Sequence, residues 1–424
     1  MKVLIIGNGG REHAFAWKCI QSEMVTKVYV APGNAGTQQE TGVINIDIPV
    51  TDIEQLIAFA SKEKVDLTIV GPELPLSIGI VDRFTKANLK CLGPVKAAAQ
   101  LEASKAYSKD FMHIHKIPTA KYKCFDQIAL AIDYVESENA FPIVIKASGL
   151  AAGKGVIIAH SLSEAKNTIK DILYNNKFGN AGSQVVIEEF LEGEEASFIV
   201  LCDGETAIPM ATSQDHKARD DGDLGPNTGG MGAYSPAPIV TQEIHQKVMK
   251  EIILPVLKGM KKQGTPYKGF LYAGLMIKKD GSIKTLEFNC RFGDPETQPI
   301  MMRMESDLVE LAIKAVNGTL KGEETKWKKE FALGVVLAAK GYPNEYPKGD
   351  KINGLDSDNK INNKIFHAGT SIKNENIVTN GGRVLCCTAL GNNIQEAYSN
   401  TYQLVEKVTW DNKYFRKDIG KKAF

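Results

Sequence analysis

The order of apolar and polar positions in the first hundred residues alternates between two patterns. Short apolar runs at Val3–Ile6 and Asp66–Val70 are typical of buried strands, whereas Thr51–Ser61 has apolar residues at helical spacing. A second helix is expected over Asp82–Asn88, and a short strand follows at Lys90–Leu92. Because strands that alternate with helices form parallel sheets, the pattern predicts an N-terminal α/β domain. Its ligand crevice would lie at the carboxyl ends of the strands.

A glycine-rich turn follows the first apolar run and leads into a helical pattern. Backbone N–H groups at Gly9 and Gly10, together with the helix dipole, would form an anion cradle. A dinucleotide fold is disfavoured, because the third glycine of its fingerprint falls on Glu12 and the second strand ends without an acidic residue. We therefore expect a phosphate or phosphoribosyl group at Gly9 and Gly10. Glu73, in a loop after a buried strand, is expected in the crevice.

The middle of the chain contains a glycine-rich loop between two apolar strands. The strands are Pro142–Lys146 and Gly155–Ala159, and the second occupies the place where a Walker A sequence would have a helix. Such a loop can cover a triphosphate and exclude water, while its N–H groups and Lys146 bind phosphate oxygens. The sequence predicts a phosphate-binding flap, with an ordinary glycine-rich hairpin as the alternative.

Two further apolar strands follow, at Gln184–Leu191 and Glu194–Cys202. A strand edge with apolar walls and free backbone groups can receive adenine, and a carboxylate past the turn can accept ribose hydroxyls. Taken alone, the segment from Glu188 to Glu195 would also fit a charged hairpin.

Thr285–Gln298 combines an alternating strand with an abrupt turn. Glu287, Asn289 and Arg291 fall on one face of the strand, opposite apolar neighbours. Two oxygen donors about 7 Å apart suit Mg²⁺ or Mn²⁺, and an arginine beside them can clamp a carboxylate or phosphate. The alternative is a half-exposed edge strand. Gly269–Lys278 is predicted to pair beside this strand.

The remaining pattern predicts long helices and a C-terminal α+β domain. Helices are expected over Val248–Lys262 and Met301–Val316, with the methionines of the second in the core. The C-terminal quarter shows strands and one helix with few convergent polar groups, so we expect it to serve as a structural cover. These C-terminal elements are predicted at Phe331–Ala339, Ile365–Ala368, Gly382–Leu390 and, for the helix, Ile394–Val408.

Composition narrows the class of protein. The 424 residues exceed one hydrophobic core, and a net charge of +1 gives no reason to expect nucleic acid or an anionic membrane as partner. No apolar run is long enough to span a bilayer. Seven cysteines without metal-type spacing indicate reduced, mostly buried thiols in a cytoplasmic protein.

Several long motifs resemble one family nearly from end to end. They include VLIIGNGGREHA, TIVGPELPL, IVIKASGLAAGKGV, VIEEFLEGEEASF, GPNTGGMGAYSP and EFNCRFGDPETQ. The chain resembles the ATP-grasp superfamily and, within it, the phosphoribosylamine–glycine ligases. One departure is visible, because the family usually reads KADGLAAGKG and this chain has Ser148 in place of the aspartate.

The resemblance implies a set of binding residues. ATP would contact Lys105, Lys146, Gly153, Lys154, Gly155, Glu188, Glu189, Phe190, Leu191 and Glu195. Mg²⁺ or Mn²⁺ would be held by Glu287 and Asn289, and the substrates would contact Gly9, Gly10, Glu73, Asp215, His216, Lys217 and Arg291. We expect Arg291 and Asp294 to act in catalysis by orienting the glycine carboxylate and the incoming amine. His216 is either a general base or an ordinary hydrogen-bonding loop residue.

The implied activity is ATP-dependent joining of glycine to 5-phosphoribosylamine, through a glycyl phosphate, in purine biosynthesis. The implied fold has an N-terminal parallel α/β domain (1–103), an ATP-grasp domain (104–322, with a mobile lid at about 122–193) and a small C-terminal α+β domain (323–424). The expected partners are small molecules only, and a monomer is expected. The alternatives are an ATP-grasp ligase for another acid and amine, and a non-catalytic nucleotide-binding regulator.

Overall fold

A parallel sheet forms the N-terminal region of the protein. The computed structural model describes residues 1–151, 155–175, 177–358 and 362–424, and no helix within these ranges is long and apolar enough to cross a membrane. The five strands are β1 (Lys2–Gly7), β2 (Lys27–Pro32), β3 (Val43–Asn45), β4 (Leu67–Val70) and β5 (Cys91–Leu92), in the order β3-β2-β1-β4-β5. All pairings are parallel.

Helices cover this sheet, as the alternating pattern predicts. They are α1 (Gly10–Cys19), α2 (Ala35–Gln39), α3 (Ile53–Glu63), α4 (Glu73–Ser77) and α5 (Ile80–Lys86). The apolar residues of β1 and β4 are buried on both faces, which is the usual state of a parallel strand between helix layers. The turn after β1 and the loop after β4 therefore meet at one edge of the sheet.

A second, antiparallel sheet has a hydrophobic core of its own. Two short helices, α6 (Gln100–Ala103) and α7 (Lys105–Ile114), precede it. Its strands are β6 (Tyr122–Phe125), β7 (Ile143–Ala147), β8 (Val156–Ala159) and β9 (Val185–Glu189), in the order β6-β9-β7-β8. Helices α8 (Ile128–Glu138) and α9 (Leu162–Leu173) pack on it through a cluster that includes Ile145, Ile169 and Ile187. We call residues 122–189 the lid.

The charged-hairpin interpretation of Glu188–Glu195 is wrong. Strand β10 (Glu194–Asp203) does not pair with β9 but belongs to a different sheet, with β11 (Ala207–Pro209) on one side and a later strand on the other. The chain therefore passes from the lid into the central sheet at residues 190–193, where backbone groups are not used by a hairpin ladder.

The central sheet carries the strand that was predicted to hold oxygen ligands. β10 pairs with β16 (Lys268–Ile277), and β16 pairs with β17 (Ile283–Asn289), as the sequence predicts. The register shifts where Gly274 lies opposite Glu287 and Leu275 opposite Thr285, so Leu286 is an extra residue in β17. The bulge interrupts the alternation of faces along β17, and both Leu286 and Glu287 line one cavity.

A third sheet joins the middle of the chain to its C-terminal quarter. Its strands are β12 (Gln214–Asp215), β15 (Gly232–Ser235), β18 (Phe331–Ala339), β22 (Arg383–Gly391), β19 (Asn363–His367) and β23 (Lys413–Tyr414), which pairs with β18. Two small hairpins, β13–β14 (Ala218–Asp220 and Leu224–Asn227) and β20–β21 (Thr370–Lys373 and Asn376–Thr379), extend from it. Helix α14 (Ile394–Lys407) covers β22 and β18.

Two predicted helices differ from the observed ones. The helix expected over Val248–Lys262 begins earlier, as α10 (Gln242–Val248), and passes through a π turn at Met249–Ile253 before α11 (Leu254–Lys262). The single helix expected over Met301–Val316 is wrong. It is divided into α12 (Thr297–Arg303) and α13 (Leu308–Asn317), because Asp307 accepts the N–H groups of Val309 and Glu310 and caps a new helix. The methionines there are buried, as expected.

Candidate active site

A cavity of about 640 Å³ lies where the lid, the central sheet, the parallel domain and the C-terminal sheet meet. The carboxyl end of the parallel sheet contributes Glu73, and the C-terminal sheet contributes Arg383. Clefts at domain junctions are the usual place for small-molecule sites.

The lid side of the cavity contains a cluster of buried charges. The Lys146 ammonium lies 2.9 Å from Oε1 of Glu188, and the Lys109 ammonium lies 2.8 Å from the other carboxylate oxygen. Lys146 also donates to the backbone oxygen of Leu286 at 3.3 Å. Lys105 donates to the backbone oxygen of Gly149, at the base of the flap. Burial lowers the pKa of Lys105 because it penalises the ammonium ion, and a negative ligand beside it would oppose that effect.

The floor below the lid contains an acidic pair held by one lysine. Lys217 Nζ lies 2.5 Å from Glu195 Oε2 and 3.9 Å from Asp215 Oδ1. Burial raises the pKa of Asp215 to about 7, and Lys217 opposes this rise only in part. A carboxyl group that titrates near neutral pH in a cavity can exchange protons with a substrate.

Glu287 and Asn289 project from β17 into the cavity. Burial acts to raise the pKa of Glu287, but the charges of Lys217, Lys146 and Lys105 outweigh it and lower the pKa. Across the described ranges, the Glu287 carboxylate has neither a hydrogen bond nor an ion pair with another side chain.

The same two residues fit a divalent cation that arrives with its own oxygen ligands. Asn289 Oδ1 accepts one hydrogen bond from Arg291 at 3.0 Å and keeps a second lone pair. No group of three His, Cys, Asp or Glu residues in the described parts of the chain forms an all-protein metal cage. The Glu287 carboxylate, which is unpaired within the described residues, and one amide oxygen therefore suit Mg²⁺ or Mn²⁺, which complete their coordination with phosphate and water.

Arg291 is fixed between two carboxylates at the mouth of the parallel sheet. Its Nη2 lies 2.9 Å from Glu102 Oε1, and its Nε lies 3.4 Å from Glu73 Oε2. Burial raises the pKa of Glu102 to about 7. Burial also acts to raise the pKa of Glu73, but Arg291 and Arg11 outweigh it and lower that pKa. Arg291 is therefore placed in the cavity by ion pairs with Glu102 and Glu73, while its buried Nε has no hydrogen-bond partner within the described residues.

Asp294 is clamped from the C-terminal sheet. Arg383 Nη1 donates to the backbone oxygens of Asp294 and Gly229, both at 2.6 Å, and its Nη2 lies 3.5 Å from Asp294 Oδ2. The other carboxylate oxygen accepts a hydrogen bond from Gln298 at 2.9 Å. Burial acts to raise the pKa of Asp294, but Arg383 and Arg11 outweigh it and lower the pKa, so Asp294 is an anion.

Most of the residues expected from the sequence come together at this cavity. Those lining it are Glu73, Lys105, Lys146, Gly155, Glu188, Glu189, Phe190, Leu191, Glu195, Asp215, Lys217, Glu287, Asn289, Arg291 and Asp294. Gly153 and Lys154 lie outside the described residues. Ser148, which replaces the family's aspartate, accepts the Ala106 N–H at 3.2 Å and so keeps an oxygen at the N-terminus of α7.

Three expected residues are not brought into the cavity. His216 is 2% exposed and faces Tyr234 and the N–H of Gly420, and burial lowers its pKa to about 4, so a role as a general base at neutral pH has no support. The N–H of Gly9 donates to the Glu12 carboxylate at 2.6 Å, and a side chain at Gly10 would collide with Gln298. The N–H of Gly9 in the predicted anion cradle is thus taken by the protein's own carboxylate, and phosphate binding at Gly9 and Gly10 stays a prediction.

Five charged residues of the site were missed by sequence reasoning. They are Arg11, Glu102, Lys109, Glu296 and Arg383, all of which line the cavity. Lys109 follows Lys105 by one helical turn, so its position on the same face of α7 was a usable signal. Glu102 and Arg383 carried no local signal, because their partners lie far away in sequence.

Comparison with known proteins assigns the family. The descriptions "Phosphoribosylglycinamide synthetase, N domain", "ATP-grasp (A) domain" and "C domain" match residues 1–102, 103–297 and 332–422, respectively. The chain belongs to the phosphoribosylglycinamide synthetase family. The predicted class, with a parallel N-terminal domain, an ATP-grasp domain and a C-terminal α+β domain, is confirmed.

Relatives within the family cover the whole chain. A phosphoribosylamine–glycine ligase of Vibrio vulnificus is 59% identical over 423 residues, which is 100% of this chain and 98% of the relative. The Escherichia coli enzyme of the same name is 58% identical and covers 100% and 99%. The crystal structure of the Thermotoga maritima phosphoribosylamine–glycine ligase superposes with a TM-score of 0.85 at 34% identity, covering 99% and 100% of the two chains.

The fold extends beyond the family. The biotin carboxylase domain of Hydrogenobacter thermophilus 2-oxoglutarate carboxylase, solved with MgADP, has a TM-score of 0.75 at 17% identity and covers 98% of this chain and 91% of that one. At that identity the likeness concerns the fold alone.

Proposed function

We propose that this protein catalyses the ATP-dependent ligation of glycine to 5-phosphoribosylamine in purine biosynthesis. The products are glycinamide ribonucleotide, ADP and phosphate, and a glycyl phosphate is the intermediate. The observation that carries the proposal is one cavity in which Lys105 and Lys146, the Glu287 carboxylate on β17 and the Arg291–Asp294 turn face one another, in a chain of this family.

ATP is assigned to the space between the lid and the central sheet. Its phosphates would lie against Lys105 and Lys146, under the flap whose base includes Gly155. The linker at residues 190–193 leaves backbone groups for adenine, next to the partly exposed Phe190. Glu195, at the start of β10, would accept hydrogen bonds from the ribose hydroxyls. Lys217, its present partner, would then contact both Glu195 and these hydroxyls.

A divalent cation is assigned to Glu287 and Asn289, with Mg²⁺ or Mn²⁺ as the candidates. When bound, it would neutralise charge on the phosphate oxygens of ATP. Lys217, Lys146 and Lys105 keep Glu287 ionised before any ligand arrives.

The reaction needs positioned groups and a dry cavity, and no protein nucleophile. A glycine carboxylate oxygen attacks the γ-phosphorus of ATP and ADP leaves; the amine of phosphoribosylamine then attacks the acyl carbon and phosphate leaves. Arg291 is assigned to orient the glycine carboxylate, and Asp294 to orient the amine. The proton that the amine loses is assigned to Asp215, whose pKa is raised to about 7 by burial.

The decisive experiment measures ADP and glycinamide ribonucleotide together. Wild-type protein with ATP, glycine and phosphoribosylamine should form the two products in equal amounts, and only when Mg²⁺ or Mn²⁺ is present. Another ATP-grasp ligase would release ADP with a different acid and amine. A non-catalytic regulator would bind ATP and release no ADP with any substrate pair.

We also propose that the protein is a monomer and works in the cytoplasm. The residues assigned to the substrates and the cation all belong to one chain and line one cavity. Sedimentation velocity across the protein concentrations used in the assay, with activity per chain measured in parallel, tests the monomer. A rise in activity per chain on dimerisation would contradict it.

A further inference from the structure

A three-residue ionic cluster connects the lid to the central sheet and is not explained by phosphate binding alone. Glu188 at the end of β9 lies between Lys109 of α7 and Lys146 of β7, with contacts of 2.8 and 2.9 Å to its two oxygens. The three residues are 3%, 2% and 6% exposed, respectively. Burying three charges together is costly unless they are paired with one another and hydrogen-bonded.

Lys109 is anchored to the part of the structure outside the lid. Its ammonium donates to Thr119 Oγ1 at 2.7 Å, and that hydroxyl donates to the backbone oxygen of Thr285 on β17, also at 2.7 Å. Glu188 and Lys146, in contrast, are on lid strands. Lys109 is therefore the fixed member of the cluster, and it holds a lid carboxylate against the central sheet.

The contacts of Lys146 differ from those of Lys109. Glu188 Oε1, the oxygen next to Lys146, accepts no well-aligned hydrogen bond within the described residues, although the two atoms are in contact. Lys146 also reaches the Leu286 backbone oxygen only at 3.3 Å. It is thus the member of the cluster that a stronger anion can take.

The difference between Lys146 and Lys109 decides whether Glu188 keeps a countercharge when ATP binds. If Lys146 moved to a triphosphate without Lys109 present, Glu188 would be left as a buried, uncompensated carboxylate, which is strongly unfavourable. With Lys109 on the opposite oxygen, the carboxylate keeps a countercharge throughout the exchange.

We propose that Lys109 is a positioning residue for nucleotide binding, which holds Glu188 so that Lys146 can exchange this carboxylate for the phosphates of ATP. The proposal rests on the proposed function only in taking ATP as the ligand of this cavity. Burial lowers the pKa of Lys109 to about 8 and Glu188 opposes that shift, so the ion pair sustains the charge on which the exchange depends.

The test is a double-mutant cycle on nucleotide binding by the full-length chain. Titration calorimetry with MgADP and with a non-hydrolysable MgATP analogue compares wild type, Lys109→Met, Glu188→Gln and the double variant. We expect Lys109→Met to weaken MgATP-analogue binding by about tenfold or more in the wild-type background and by less than about threefold in the Glu188→Gln background. Equal losses in both backgrounds would show that Lys109 acts independently of Glu188, and the proposal would be wrong.

Controls separate this effect from misfolding and from failure of the proposed function. Lys258→Met removes an exposed lysine and should bind like wild type. Thr119→Val keeps the Lys109 charge but removes its anchor, so it gives a milder variant should Lys109→Met fail to fold. We expect Thr119→Val to weaken binding by about threefold, and unchanged binding would overturn the anchoring argument. Binding is the readout, so a wild type that binds MgATP but makes no glycinamide ribonucleotide still tests Lys109.

Discussion

Replacement of Arg383 by methionine tests whether the C-terminal sheet participates in the active site. The side chain is wedged between the Gly229 loop and the Asp294 turn, where its Nη1 donates to both backbone oxygens at 2.6 Å. Methionine keeps much of the apolar stem but removes both short hydrogen bonds, a longer one to the Gly230 oxygen at 3.4 Å, and the positive charge beside Asp294. The Gly229 loop and the Asp294 turn would then lose their hydrogen bonds to Arg383 of β22.

The size of the effect follows from those contacts. Two charge-assisted hydrogen bonds are lost, and water in the open cavity can replace part of each, which leaves a net cost of about 2–4 kcal/mol. If that cost falls on positioning of the reacting groups, kcat/KM falls about 30- to 1,000-fold. Folding should be affected less, because apolar packing of β22 against β18 remains.

The assay measures kcat/KM for glycine and for phosphoribosylamine as a function of pH. The affinity for MgATP is measured in parallel. Arg383 holds the pKa of Asp294 down against the effect of burial, so its loss should raise that pKa and move the acid limb of kcat/KM to higher pH. Lys373→Met, which removes an exposed lysine of the neighbouring hairpin, is the matched control. A kcat/KM profile that superposes on the wild-type profile would refute the reasoning.

Three further predictions test other parts of the site and fold. Glu287→Gln keeps the shape but removes the charge, so the Mg²⁺ or Mn²⁺ concentration for half-maximal activity should rise about tenfold; an unchanged value excludes Glu287 as a ligand. Asp215→Asn should remove a limb near pH 7 from the kcat profile, whereas His216→Gln should keep it, because burial raises one pKa to about 7 and lowers the other to about 4. Burial acts to raise the pKa of Glu40, but His13 and Lys364 outweigh it and lower the pKa from 4.5 to about 2. Its stabilisation is complete above pH 4.5 and is lost as the pH falls toward 2, so Glu40→Gln should remove about 2–3 kcal/mol of acid-sensitive stability in urea titrations, and an unaltered pH dependence contradicts this.

The strands and their functional residues were predictable because each is encoded locally. Lys146 ends an apolar run, and Glu287 and Asn289 alternate within another, so their placement needs only strand geometry. The bulge at Leu286 was not predictable from alternation. It depends on the register of β17 with β16, a strand that precedes it in the chain.

The failures concern contacts across long sequence distances. Arg383 begins an otherwise apolar strand and finds its partners 89 and 154 residues earlier, so nothing near it in sequence indicates a site. The sheet membership of β9 and β10 was missed for the same reason. The break before α13 was readable in principle, because Asp307 followed three residues later by Glu310 is an N-terminal helix signal.

The charges in the cavity point to a mechanism of binding by exchange. Lys146 lies against Glu188, Lys217 against Glu195, Arg291 against Glu102, and Arg383 against Asp294. Each of these cations is already paired with a carboxylate. When a phosphate or substrate carboxylate binds one of the cations, the protein carboxylate that it displaces needs another partner. In the described residues Glu287 has no ion pair of its own, so a divalent cation adds positive charge to the cavity without displacing a partner. Nucleotide affinity should therefore depend more steeply on the cation than on any single lysine. MgATP should bind far more tightly than metal-free ATP in the wild type, and this difference should shrink in Glu287→Gln; equal affinities for the two forms of ATP would contradict binding by exchange.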